Sequence, residues 1–229
     1  QFDTMALIHN VWSDIEGFLN NNTSIFFNER DLQMHLAVFL KQQNYDVDVE
    51  YRITKKNLTK YGALYPWDEN VISIDIVVSQ DGVYVPIELK FKTRMIKNDS
   101  ISTFLRFGEA TSLSDIVRNQ SAQDLGRYGF WKDVKRLELI KDRFKRVDNG
   151  IVIFLTNDDN YVMCPKAMSV SYNYEQFSMT SGLKKHLTRH WSKSIPKSCP
   201  DFEINKTYDI YWEKPMYLGE QFYYCMLKV

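Results

Sequence analysis

Cysteine is scarce in this chain of 229 residues: Cys164, Cys199 and Cys225 are odd in number, far apart and without a C-x-x-C pair. That pattern supplies no disulfide framework, and three reduced thiols in a cytoplasmic protein are expected. With 9 glycines and 6 prolines, no Pro/Gly/Ser linker appears, nor any low-complexity tract or internal repeat. Residues 1–229 therefore read as one domain, with a β-rich elaboration from about residue 160. No apolar run approaches the roughly 18 residues of a membrane span, so no membrane partner is expected. No basic stretch followed by an apolar one opens the chain, which leaves no secretory signal, and Gln1 reads as a processed or trimmed start. An excess of either charge is missing too, with 29 Lys and Arg against 29 Asp and Glu. That balance argues against a protein that coats nucleic acid non-specifically. P-loop, G-x-G-x-x-G and G-x-S-x-G patterns are all absent, so nucleotide-driven motors and serine hydrolases have no support.

What is present suits a packed core: 44% hydrophobic and 25% charged residues, with aromatics at 14%. Packing accounts for most of the rings, although stacking on bases uses the same residue types. The basic residues cluster at Lys90–Lys97, Lys132–Arg146 and Lys184–Lys197. Solvated faces explain each cluster, and a local groove is compatible with them. Apolar residues at three- and four-residue steps predict a helix over 5–20. Asn28 reads as the N-cap of a second helix reaching Gln42, with Glu29 and Asp31 in its first turn. Strands are expected at Asp46–Ile53, Val71–Val78, Val83–Phe91 and Ile151–Leu155, with later strand-like pieces at Thr207–Trp212 and Phe222–Val229. Between them, Ser114–Phe144 reads as a helix with a break near Gly126 and Gly129. Helices flanking a mixed sheet give an α/β (α+β) fold.

The chemistry concentrates in two adjacent strands. Val83, Val85, Ile87, Leu89 and Phe91 alternate with Glu88, Lys90 and Lys92, which sends the charged set to the face opposite the apolar one. On the preceding strand, Ile72, Ile74, Ile76 and Val78 take one side, and Ser73 and Asp75 the other. Asp81-Gly82 between them favours a two-residue type I′ turn, which sets Asp75 opposite Glu88; a four-residue loop would set it opposite Pro86. Both registers keep the carboxylates on one face. Like charges placed so are destabilising unless neutralised, and hard carboxylate oxygens suit Mg²⁺. Lys90 points the same way and can act on a metal-bound water or on charge growing at a phosphate. The bland alternative is an amphipathic hairpin with a solvated polar face.

Asp75 followed by Glu88-Leu-Lys90 resembles the signature of the PD-(D/E)xK nuclease superfamily, over roughly residues 25–155. The resemblance implies a restriction-endonuclease-like fold, with a central mixed β-sheet flanked by helices. It implies Mg²⁺ (or Mn²⁺) on Asp75, Glu88 and the Leu89 carbonyl, and hydrolysis of a phosphodiester by a metal-activated water. It also implies a Glu on the preceding helix, a place for Glu29 or Glu50. Ile74 stands where the motif's Pro would be, and Gln123 and Tyr128 are one residue too far apart for the Gln-x-x-x-Tyr branch. Glu29-Arg-Asp-Leu-Gln33, Arg136-Leu-Glu138 and Leu155-Thr-Asn-Asp158 are loosely similar to bacterial restriction-endonuclease-like proteins.

Weaker signals remain. His186 and His190, four apart, would share a helix face at zinc-binding spacing, but surface histidines explain them as well. Gln123, Asp124, Arg127, Tyr128, Trp131 and Lys135 decorate the long helix as surface or as a substrate-facing wall. The loop Lys55–Asn70, with Lys60, Tyr61, Tyr65 and Trp67, is mobile surface or a nucleic-acid contact. The expectation is a cytoplasmic Mg²⁺-dependent endonuclease in restriction, defence or repair, with Asp75, Glu88 and Lys90 catalytic and Glu29 or Gln123 assisting. Its substrate would be DNA before RNA, and a homodimer is compatible with it. The alternative is a nuclease-fold binding or interaction module without turnover.

Overall fold

Local capping fixes where the second helix begins. In this computed structural model, which describes residues 4–58, 65–97, 104–165, 171–192 and 198–229, helix α1 spans Thr4–Asn21 and α2 spans Glu29–Gln42. The Asn28 side chain accepts from Asp31 N at 2.8 Å, and Asp31 Oδ2 accepts from Phe27 N at 3.0 Å. Two orphan donors are satisfied, and Glu29 is held at the first helical position.

Three strands follow: β1 (Asp46–Thr54), β2 (Val71–Gln80) and β3 (Val83–Lys92). Gln80 pairs with Val83, and Asp81 and Gly82 both have positive φ, at 52° and 76°. The turn is the two-residue kind that Asp-Gly favours. Helix α3 (Gln123–Arg143) carries the chain to β4 (Ile151–Thr156), and β5 (Tyr223–Lys228) closes the sheet. The sheet order is β1-β2-β3-β4-β5, parallel between β3 and β4 and antiparallel elsewhere. The molecule is thus a mixed α/β structure with a five-stranded central sheet flanked by helices.

Both faces are covered. Val85, Ile87, Leu89 and Phe91 pack with α1 and α2, together with Ile151, Ile153 and Leu155; Val152 and Phe154 pack with α3. Strand β4 is buried along all six residues, as its unbroken apolar run requires. The even side of β3 is therefore not an open face: Pro86 and Glu88 are buried, and Tyr84, Lys90 and Lys92 are half-buried.

Strand β2 departs from simple alternation. Ile76 and Val78 lie under α1 and α2, whereas Ile72 and Ile74 belong to the core on the α3 side. The exchange falls at Asp75, where the pairing with β1 skips between Val49↔Ile76 and Tyr51↔Ile74, and Glu50 in that gap sits at φ 50°. A left-handed residue inside a strand turns the local backbone, and period two does not survive that turn.

The long helix also starts later than its sequence suggests. Leu113–Ile116 make one turn, Val117 leaves the helical region, and α3 begins only after Ala122 at φ 66°. It then runs unbroken through Gly126 and Gly129. Those glycines serve packing: a Cβ at Gly126 would overlap the Tyr161 hydroxyl, and one at Gly129 would meet Lys90 Cε at 3.2 Å.

Residues 171–192 and 198–212 form an outer layer on α3, with a helix at Tyr172–Phe177 and short strand pairs. Buried polar tips fasten it: Trp131 Nε1 donates to Phe177 O, Tyr128 Oη to Pro200 O, and Tyr208 Oη to Glu138 Oε1. Arg127, Tyr128, Trp131 and Lys135 are consequently buried and form no substrate-facing wall. Tyr65 and Trp67 are likewise core residues, with Trp67 Nε1 on Tyr128 Oη at 2.9 Å. Lys60, Tyr61, Lys193 and Lys197 lie outside the described residues. His186 and His190 stand on no helix; His190 Nδ1 meets Asp201 Oδ2 at 2.9 Å. All three cysteines are free, and no described helix is long and apolar enough to cross a membrane.

Candidate functional site

Beyond Ile76↔Ile87, one further step along the hairpin brings Asp75 opposite Glu88. Side chains take over there from the backbone ladder. The Leu89 N–H donates to Asp75 Oδ2 at 2.7 Å, and the Asp75 carbonyl accepts from Gln33 Nε2 at 2.7 Å. Gln33 also donates to Glu50, which is bound by Ser73 and Arg30 as well. Glu50 is therefore committed to this support. The Asp75 and Glu88 carboxyl groups are near enough for each to shift the other's proton affinity. The N–H and C=O of a strand residue point the same way, so the Leu89 carbonyl also turns toward β2.

Glu29 reaches the same place from the start of α2, where its Oε2 accepts from Phe91 N at 3.0 Å. From the other face, α3 contributes two residues that the sequence reading missed. Asp133 Oδ2 lies 2.8 Å from Lys90 Nζ, and Arg136 Nη1 lies 2.7 Å from Glu88 Oε1 and 3.7 Å from Asp133 Oδ1. Arg136 is also paired with Glu69, which holds Lys132 and the Tyr65 hydroxyl. The signal for Asp133 and Arg136 was available. Gly129, Asp133 and Arg136 recur at four- and three-residue steps, a small residue and two charges on one helix face. Gln123 is not brought in: its Nε2 donates to Asp158 Oδ2 at 3.2 Å, beside Arg94.

Burial raises the carboxyl groups of Glu29 and Asp75 above their ordinary values of 4.5 and 3.8. Glu88, at 1% exposure, is raised further by burial; Arg136 opposes that shift while Asp133 and Asp75 add to it. Burial works against the Lys90 charge, yet Asp133, Glu29 and Glu88 outweigh it and hold the ammonium protonated. Arg136 is kept charged in the same manner by Glu88 and Asp133.

Four carboxylates (Glu29, Asp75, Glu88 and Asp133) and two cations (Lys90 and Arg136) share this end of the hairpin. Counted at full ionisation, the group carries an excess of two negative charges. Among the described residues, no group of three or more His, Cys, Asp or Glu side chains is arranged to hold a metal ion. Two carboxylates and a strand carbonyl are nevertheless hard oxygens of the kind Mg²⁺ takes alongside several waters. The donor chemistry and the charge both fit one divalent cation, provided the Arg136 guanidinium gives up Glu88. Comparison of the chain with protein-family models, curated proteins and solved structures finds no match.

Proposed function

We propose that the protein is a Mg²⁺-dependent phosphodiesterase of nucleic acid, an endonuclease with a restriction-endonuclease-like fold and DNA as its first substrate. One juxtaposition carries the reading: Asp75, with its carboxylate on the Leu89 N–H at 2.7 Å, and Glu88 stand on adjacent strands in a cluster of four carboxylates and two cations. Asp75, Glu88 and the Leu89 carbonyl would hold the ion, which when bound supplies an activated water and a Lewis acid for the phosphate. Lys90, kept protonated, stabilises negative charge growing on the phosphoryl oxygens. Glu29, with its raised affinity for a proton, would accept one from the attacking water. The preference for DNA over RNA rests on the resemblance to PD-(D/E)xK nucleases alone.

The Arg136–Glu88 and Lys90–Asp133 pairs support a second reading, in which they replace the ion and the module binds without turnover. Incubating the protein with plasmid, linear and single-stranded DNA and with RNA separates the two. The nuclease reading expects cleavage in Mg²⁺ or Mn²⁺, none in EDTA, and none by Asp75→Asn. Intact substrates under every condition, together with a melting temperature that millimolar Mg²⁺ leaves unchanged, would leave the non-catalytic module.

A further inference from the structure

Farther along the hairpin from the carboxylates, the α3 side of the sheet opens into a cavity of about 320 Å³. Tyr51, Tyr84 and Phe144 form its aromatic walls, and Ile74, Val77 and Pro86 contribute its apolar surface. Its volume falls in the range of small-molecule sites. The mouth is built by the chain just past α3, and that chain is pinned. The Tyr84 N–H donates to Arg146 O at 3.0 Å, Tyr84 bridges Val147, and the Val147 N–H donates to Phe144 O at 3.0 Å. The shape is preformed and does not depend on a ligand to assemble it.

The charged residues that line the opening are both basic. No carboxylate lines the cavity, whereas Lys145 and Arg146 do, both exposed. Arg146 reaches only the Gly82 carbonyl, at 3.5 Å, and Lys145 has no partner among the described residues. These two cations belong to the Lys132–Arg146 cluster, and the carboxylate site uses neither. A neutral apolar ligand would leave both without a partner, and a cation would be repelled. An anion attached to a flat apolar body satisfies walls and mouth together.

We propose that this cavity is a binding site for a small amphipathic anion, a planar apolar body bearing one carboxylate or sulfonate. The body lies among Tyr51, Tyr84 and Phe144, and the acid group meets Lys145 and Arg146. This site stands whether or not the protein is a nuclease.

Two fluorescent probes of nearly the same shape test it with the intact protein: 8-anilinonaphthalene-1-sulfonate, an anion, and N-phenyl-1-naphthylamine, uncharged. The expected result is saturable binding of one sulfonate per chain, with near-ultraviolet circular dichroism retained. The double variant Lys145→Glu/Arg146→Glu should weaken the sulfonate about tenfold and leave the amine within about twofold. Val147→Trp, which fills the mouth, should block both probes. If that variant does not fold, the exposed charge reversals carry the test alone. Non-saturable binding, or a charge reversal that leaves the sulfonate unmoved or weakens both probes equally, would overturn the assignment.

Discussion

A lysine with Asp133 at 2.8 Å and the carboxylates of Glu29 and Glu88 beside it keeps its proton, so in the proposed nuclease Lys90 would act through its charge and not as a base. Replacing it with Ala should lower single-turnover cleavage by about 3–4 kcal/mol of transition-state stabilisation, with little change in DNA affinity. Lys92, one pleat on and roughly 7 Å along the strand, should behave the other way: Lys92→Ala weakens binding and flattens its salt dependence. Equal modest losses in both variants would reduce Lys90 to part of a basic surface. Arg136 allows a sharper measurement. Removing it leaves Glu88 buried without its cation, a loss of about 3–5 kcal/mol when one partner of a buried pair is deleted. Arg136→Ala should therefore melt lower in EDTA and recover more than wild type when Mg²⁺ is added. Calorimetric melting with and without the ion reads this directly, and an equal gain in both proteins would show that Arg136 and the ion do not compete.

At the scale of elements, glycines inside helices separate propensity from packing. Gly17 in α1 has nothing within 4 Å of an added Cβ, while Gly126 in α3 has the buried Tyr161 ring against it. Gly17→Ala should stabilise by about 0.5–1 kcal/mol. Gly126→Ala should destabilise, because overpacking of about 1–3 kcal/mol exceeds the helix gain. Denaturant midpoints of the two variants check both signs. The same contrast explains how much was legible in the sequence. Strand β3 shows its alternation because both its cores are continuous, and α2 shows its start because Asn28 and Asp31 act locally. Strand β2 hides the exchange at Asp75, since nothing in Val71–Gln80 reveals the φ of Glu50 across the ladder. Asp75, Glu88, Lys90 and Glu29 were readable from register and capping. Asp133 and Arg136 left only the spacing with Gly129 as a signal, because α3 is covered on both sides and polar residues there are buried partners where a pattern reads solvent.

For the whole molecule, the carboxylate cluster makes stability depend on pH with an unusual sign. Groups whose folded pKa is raised favour the native state below their ordinary values and lose that contribution as pH rises through the folded values. Glu29, Asp75 and Glu88 all belong to this class. Glu50, Glu69 and Asp201 are lowered and work the other way, so the difference between wild type and Asp75→Asn isolates the cluster. In EDTA, wild type should lose stability relative to Asp75→Asn as pH climbs above the ordinary carboxylate range. Bound as proposed, Mg²⁺ would displace those protons, so its stabilising effect should widen with pH. A gap between Mg²⁺ and EDTA melting curves that stays constant from acid to neutral pH would sink the cluster as a cation site. On the proposed reading, zero net charge means that affinity for nucleic acid would come from a local groove, its salt slope set by the phosphates that groove contacts.

Strand β5 has a consequence for how the chain is made. Its residues, 223–228, pair with β4, and the segment is fastened to α1 through the Tyr217 hydroxyl on Leu19 O and the Tyr224 hydroxyl on Asn20 Oδ1. Those two contacts span 198 and 204 residues of sequence. A nascent chain that has emerged only as far as the outer layer therefore holds β4, the most apolar strand of the sheet, with one edge bare. Translation can complete the hairpin and α3 early, but the sheet closes only when residues 223–228 clear the ribosome. Until then the exposed edge is a template for pairing with a neighbouring chain. A slow stretch of synthesis before residue 223 would lengthen that window and lower the yield of soluble protein.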